Sequence, residues 1–216
     1  MFRNYFKTAW RNLLKHKFYA FINIAGLTTG LTVGLLILLW VRDEMSFDSF
    51  HRKADSIYKL QCWGGTGTSR QVWTDIISPM GILAKQQLPE VTDVVRITYN
   101  GYYSQYQYKN KTFSDDVAVF VDPSFFSVFD FPLIAGNNAK PFSDDHAVVI
   151  TRKIAEKYFG QEDPIGKVII ADGKESFTVT GVINNFPHNS SMRYDMMMPM
   201  SLKAQWLIKD HRDINT

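Results

Sequence analysis

From Phe18 to Val41 the chain reads FYAFINIAGLTTGLTVGLLILLWV, without one charged side chain. At about 1.5 Å per helical residue, Phe21 to Val41 covers about 31 Å, the depth of a bilayer's hydrocarbon core. A buried core helix seldom stays uncharged so long. A cleaved secretory signal has a shorter apolar stretch, about 7 to 15 residues, followed by a small-x-small cleavage site, whereas this run ends in Leu39, Trp40, Val41 and Arg42. The pattern predicts an uncleaved transmembrane helix over 18–42, with Trp10, Tyr19 and Trp40 near the interfaces, where amphipathic rings are favoured.

Ahead of it, Phe2, Tyr5, Phe6, Ala9, Trp10, Leu13 and Leu14 recur at three- and four-residue spacing, with Arg3, Lys7, Arg11 and Lys15 around the polar sides. This predicts an amphipathic basic helix over 1–17, lying on the inner leaflet. Its role is either that of a topogenic flank or that of a helix docking on a cytoplasmic partner. Inside the apolar run, Gly26, Gly30 and Gly34 fall on one helical face with Thr29 and Thr32 alongside. Such a face lets a second helix approach closely, so dimerisation or membership of a larger bundle is expected.

Beyond residue 43 the periodicity changes. Ser46 or Asp48 starts a helical turn through Ala54, and strands are expected at Ile57–Trp63, Val91–Tyr99, Tyr102–Tyr108 and Val117–Val121. Lys109-Asn110-Lys111 forms a hairpin loop into Thr112 and Phe113, and Asp172-Gly173 begins the turn between Val168–Ala171 and Phe177–Ile183. Helices are expected at Pro79–Leu88, ended by Pro89, and after Thr151 as N-cap, presenting Ile154, Ala155, Tyr158 and Phe159 and stopping at Gly160. The reading is a membrane-anchored α+β protein whose residues 43–216 form an extracytoplasmic domain.

Charge decides the orientation. Residues 1–17 carry five basic side chains, Arg3, Lys7, Arg11, Lys15 and Lys17, and no acid, so the net charge of +3 leaves −2 on the remainder. The basic flank places the N-terminus in the cytoplasm. A slightly acidic folded part lacks the basic surface that phosphate contacts need, which argues against nucleic acid. The single cysteine, Cys62, excludes an intrachain disulfide and a multi-cysteine metal centre.

Candidate chemistry is sparse. The loop Gly64-Gly65-Thr66-Gly67 lacks the lysine and hydroxyl of a phosphate loop. His16, His51, His146, His188 and His211 show no helical metal spacing and read as surface residues, and Asp115-Asp116 and Asp144-Asp145 read as solvated loop acids. Met192, Met196, Met197, Met198 and Met200 offer thioethers that suit Cu(I), but alternation in an extended chain favours core filling, with Met196 and Met198 on one face and Met197 on the other. Tyr102, Tyr103, Tyr106 and Tyr108 either stack on a sugar or lipid or pack across strands. Asn110-Lys111-Thr112 and Asn189-Ser190-Ser191 fit the glycosylation sequon, a weak signal. No catalytic, cofactor or metal residues are expected.

The opening NYFKTAWRNLLKHKFYAFINIAGLTTGLTVGLLILLWVRDEMSFDSFHRKADSIYKL resembles the start of the MacB/FtsX-like permeases of ABC transporters, particularly those of Bacteroidetes-type bacteria. AVVITRKIAEKYFGQEDPIGKVI and FTVTGVINNFPHNSSMRYDMMMPM are similar to that family's periplasmic core domain, a mixed α/β unit. The resemblance implies a permease subunit of the bacterial inner membrane. Its ATP would be hydrolysed by a separate cytoplasmic ATPase chain, and its outer domain would transmit motion rather than form a pore. Members expel drugs or peptides, move lipoproteins or regulate cell-wall hydrolases. A complete permease carries at least three more membrane helices, and the tail SLKAQWLIKDHRDINT shows neither an apolar span nor a finishing element. The expectation is therefore an N-terminal fragment or a truncated gene product, its outer domain incomplete at the C-terminus, whose glycine face awaits the remaining helices or a second copy. A single-span extracytoplasmic sensor or binding module has the same topology, and an anchored hydrolase ranks third.

Overall fold

The computed structural model describes residues 2–65, 70–73, 76, 79–100, 103–114 and 116–206. The chain divides into two compact units, Met1–Ser49 and Phe50–Thr216. The first holds α1 (Phe2–Lys15) and α2 (Lys17–Glu44). They are separated by His16, which leaves helical geometry at φ −117° and ψ 56°. The Ser46 hydroxyl donates back to Asp43 O at 2.7 Å, so Ser46 closes α2 instead of opening a new helix. A single 3-10 turn, Ala54–Ser56, stands where the longer turn was expected.

The second unit contains eleven strands among the described residues: β1 (Cys62–Gly64), β2 (Gln71–Trp73), β3 (Ile97–Tyr99), β4 (Tyr106–Tyr108), β5 (Lys111–Phe113), β6 (Ala118–Val121), β7 (Leu133–Gly136), β8 (Ala147–Thr151), β9 (Val168–Ala171), β10 (Glu175–Ile183) and β11 (Met196–Pro199). Helices α3 (Pro79–Gln87), α4 (Phe125–Val128) and α5 (Arg152–Phe159) join them, and residues 200–206 form a last helix, α6. β1 and β2 pair only with each other. The other nine make one mixed sheet in the order β3-β6-β11-β8-β10-β9-β4-β5, with β7 also on β10.

The central strands are buried on both faces, which is why they read as continuous apolar runs instead of alternating ones. Successive side chains go to opposite faces. Phe120, Val148, Ile150, Met196 and Met198 enter one core with Ile154, Tyr158 and Phe177. Val119, Val121, Val149 and Met197 enter the other with Phe125, Phe126 and Phe131. In β10 the register against β8 slips between Val179 and Gly181. The extra residue, Thr180, donates its hydroxyl to Pro141 O at 2.7 Å. The slip turns Val182 toward the first core and Ile183 toward the second, opposite to the order an unbroken strand would impose. Where β7 meets β10, Gly136 faces Gly181. Gly136 sits at φ +102°, and a Cβ there would strike Thr180 O, so this crossing requires glycine.

Both predicted hairpins form. Tyr108 pairs with Lys111 across the two-residue turn Lys109-Asn110, and Ala171 pairs with Glu175 across Asp172-Gly173-Lys174. Lys109, Asp172 and Gly173 all take positive φ. α5 begins at Thr151, whose hydroxyl accepts from Ile154 N, and ends at Gly160 with φ 65°. Other strands are shorter than expected: only Cys62–Gly64, Ile97–Tyr99 and Tyr106–Tyr108 are extended and paired. Residues 91–96 are held by side chains instead, with Arg96 bonded to Asp122 through N, Nε and Nη2 and Ser124 Oγ donating to Val94 O at 2.9 Å. Thr66 and Gly67 of the glycine-rich loop, and Tyr102, lie outside the described residues.

The described part of the tail is helical and packs on the sheet. In α6 Leu202 is buried, Trp206 packs edge-on against Phe120 and Tyr103, and Ser201 and Gln205 donate to Asp145. Residues 207–216 lie outside the described residues.

Met197→Ala and Met198→Ala should each cost about 2–5 kcal/mol. Although the two side chains serve separate cores, they share one strand backbone, so the double variant should depart from the sum by about 0.5 kcal/mol or more. Urea midpoints of the full chain in detergent micelles, followed by tryptophan fluorescence, check both statements.

Candidate functional site: the apolar helix and the polar clusters of the sheet domain

α2 runs from Lys17 to Glu44, and its side chains remain exposed or half-exposed along the whole length. Tyr19 and Trp40 stand about 31 Å apart along the axis at about 1.5 Å per residue, a separation that suits two bilayer interfaces. A Cβ added at Gly26, Gly30 or Gly34 would meet nothing within 4 Å. Within this unit the glycine face is an open shallow groove. The expected threonine contribution is reduced. Thr29 Oγ donates to Ala25 O at 2.9 Å and Thr32 Oγ to Thr28 O at 2.8 Å, so each hydroxyl spends its proton inside its own helix. Toward a neighbouring helix these oxygens are acceptors.

Arg3, Lys7, Arg11 and Lys15 lie on α1, and Lys17 opens α2. All five are exposed.

In the sheet domain two readings of single residues are corrected. Asp116 is not a solvated loop acid. Its side chain is 2% exposed and accepts from Lys157 Nζ and, at 2.6 Å, from Tyr158 Oη, fastening α5 to the segment before β6. Asp144 and Asp145 are also engaged, the first by Ser143 Oγ and His146 N, the second by α6. His51 is not a surface histidine. It is buried against Phe50, Phe129 and Phe131, with Nδ1 2.9 Å from Phe129 O. His16, His146 and His188 are exposed, while Asp115 and His211 lie outside the described residues. Sequence spacing carried no signal for the Asp116 clamp, since its partners lie 41 and 42 residues away.

The tyrosines pack across strands. Tyr106 and Tyr108 are core residues, and Tyr103 stands edge-on to Tyr106, Phe177 and Trp206. The methionines fill core space: Met196 and Met198 line a void with Tyr106, Val148, Ile169 and Phe177 that admits no water-sized molecule. Among the described residues no three His, Cys, Asp or Glu side chains come together as a metal site. The polar clusters are structural clamps between elements.

The family model of the MacB-like periplasmic core domain matches residues 20–214. The chain belongs to this family. It therefore carries the MacB-like periplasmic domain of ABC-type transporter permeases. A domain of a proposed permease from Porphyromonas gingivalis is 26% identical with a TM-score of 0.55, over 61% of this chain and 56% of that one. The periplasmic region of MacB from Actinobacillus actinomycetemcomitans is 22% identical with a TM-score of 0.46, over 65% of this chain and 64% of that one. The extracellular domain of the noncanonic ABC-type transporter YknZ from Gram-positive bacteria is 21% identical with a TM-score of 0.39, over 50% of this chain and 55% of that one. The matched part spans between half and two thirds of these solved relatives. Comparison with curated proteins finds no match.

The clamps set an alkaline limit on stability. Burial pushes the phenols of Tyr106 and Tyr194 up to about 12. Burial also raises Tyr103 and Tyr158, aided by the carboxylates of Glu175 and Asp116. All four folded values exceed the ordinary tyrosine value near 10, so above it the folded domain keeps protons that the unfolded chain releases. Stability should be intact below about pH 10 and fall progressively above it. Tyrosinate absorbance at about pH 11 should be smaller for the native chain than for the chain in urea, with the difference vanishing on alkaline unfolding.

Proposed function

We propose that this chain is the N-terminal portion of a permease subunit of a bacterial inner-membrane ABC transporter. α2 spans the membrane once, with residues 1–17 in the cytoplasm and the sheet domain in the periplasm. ATP is hydrolysed on a separate cytoplasmic ATPase chain, and the sheet domain transmits the resulting motion to periplasmic export or mechanical work. The observation that carries this reading is the extent of the family match, which begins at residue 20 inside the apolar helix and ends at residue 214. Helix and sheet domain thus belong to one module. Polar clusters engaged in holding elements together suit a body that passes force on.

Gly26, Gly30 and Gly34 pack against further permease helices or a second copy. In hydrocarbon, apolar side chains gain nothing by leaving lipid, so helix association depends on close backbone approach, which these glycines permit. Gly30→Leu should weaken that association roughly tenfold. Cross-linking yield between co-expressed permease segments in native membranes reads the effect, and an unchanged yield would remove the packing role.

Orientation has its own test. Cys62 is the sole cysteine and lies on β1, with its side chain partly exposed. A membrane-impermeant maleimide should label it in intact spheroplasts. Labelling that requires lysis would place the sheet domain in the cytoplasm.

A further inference from the structure

At 100° per residue, Arg3, Lys7, Arg11 and Lys15 occupy an arc of about 120° on α1, while Phe6, Trp10, Leu13 and Leu14 occupy an adjoining arc of about 100°. The far polar margin carries Thr8 and Asn12, which are neutral, and Asn4 lies between Arg11 and Lys15. The cations thus begin at the Trp10–Leu14 border of the apolar face and extend across about half of the polar side. At that border Phe6, Lys7, Thr8, Trp10, Arg11 and Leu14 line an open concavity of about 530 Å³. Phe6 and Trp10 stack with ring centroids 6.5 Å apart and form its apolar side. Lys7 and Arg11, one turn apart, form its cationic side, and residues 1–17 contain no acid to neutralise them.

From these features we infer that α1 is a binding site for anionic phospholipid, with a headgroup phosphate held between Lys7 and Arg11 and the first acyl methylenes against Phe6, Trp10 and Leu14. Two observations select a lipid over a protein groove. The charge is of one sign, which matches an anionic leaflet. The apolar helix α2 also follows directly, after the single non-helical residue His16. The inference rests on the proposed span of α2, because that span holds α1 at the cytoplasmic surface. A single amphipathic helix gains from both buried apolar area and attraction to anionic lipid, and each cation near the surface contributes about fivefold to the docked population.

The test uses the full chain with Cys62→Ser and a nitroxide on a single cysteine introduced as Leu13→Cys or Thr8→Cys. It is reconstituted in phosphatidylcholine vesicles or in an equimolar mixture with phosphatidylglycerol. In the anionic mixture the Leu13→Cys nitroxide should collide preferentially with oxygen, as a lipid-immersed probe does, and the Thr8→Cys nitroxide with a water-soluble nickel complex. Lys7→Gln with Arg11→Gln should lower the immersed fraction of the Leu13→Cys probe, as should the change to phosphatidylcholine alone. Equal immersion in both lipids, insensitive to the two substitutions, would show an apolar anchor without headgroup recognition and overturn the inference. A Leu13→Cys probe in water in both lipids would overturn it as well, and its burial on addition of an ATPase subunit would identify a protein-docking helix. Resistance of each variant to alkaline extraction reports the α2 span independently, so loss of the span is distinguishable from loss of lipid recognition.

Discussion

The sheet domain depends on three strands, β6, β11 and β8, that have no solvent face. Their pleat sends alternate side chains into two separate cores, so every residue of Ala118–Val121, Ala147–Thr151 and Met196–Pro199 is buried. A strand in that position cannot slip by one residue without exchanging the contents of both cores. The slip at Thr180 exists because β10 must serve β8 along one edge and both β9 and β7 along the other. The Gly136–Gly181 crossing follows from the same demand, since two backbones approach there with no room for a side chain.

Around this slab the polar residues act as fasteners. Asp116 ties α5 to the approach to β6, Asp122 and Arg96 hold the segment before β3, and Asp145 holds α6. On the surface, hydrogen bonds from Lys109 and Lys167 hold the Glu162 carboxyl down at about 2, linking the β4–β5 turn to the segment before β9. Each fastener joins elements distant in sequence across the domain. That property supports the proposed mechanical role of the domain.

The first unit obeys a different solvent logic. α2 buries none of its side chains, and in water its apolar surface would be costly. Its backbone is satisfied internally, as hydrocarbon requires, down to threonine hydroxyls that donate to their own helix. The shared consequence with the sheet domain is local self-sufficiency in hydrogen bonding, reached in one case by ladders and clamps and in the other by a single helix.

The sequence by itself determined what short-range physics controls. The apolar length of α2, the basic asymmetry of residues 1–17, both hairpins, the Thr151 cap and the Gly160 stop all follow from side chains acting on their own or neighbouring turns. The alternation of Met196, Met197 and Met198 was legible for the same reason. Tertiary structure decided the rest. β8 and α6 carry little period of their own: a strand buried on both faces, as β8 is, lacks alternation, and α6 is ordered by contacts to Phe120, Tyr103 and Asp145. The strands expected over Ile57–Gln61, Val91–Arg96 and Tyr103–Gln105 have β-forming composition but no ladder partner among the described residues. His51 and Asp116 looked like surface residues because nothing near them in sequence foretells burial. Their partners lie 78 and about 40 residues away, and only the folded domain brings them within hydrogen-bond distance.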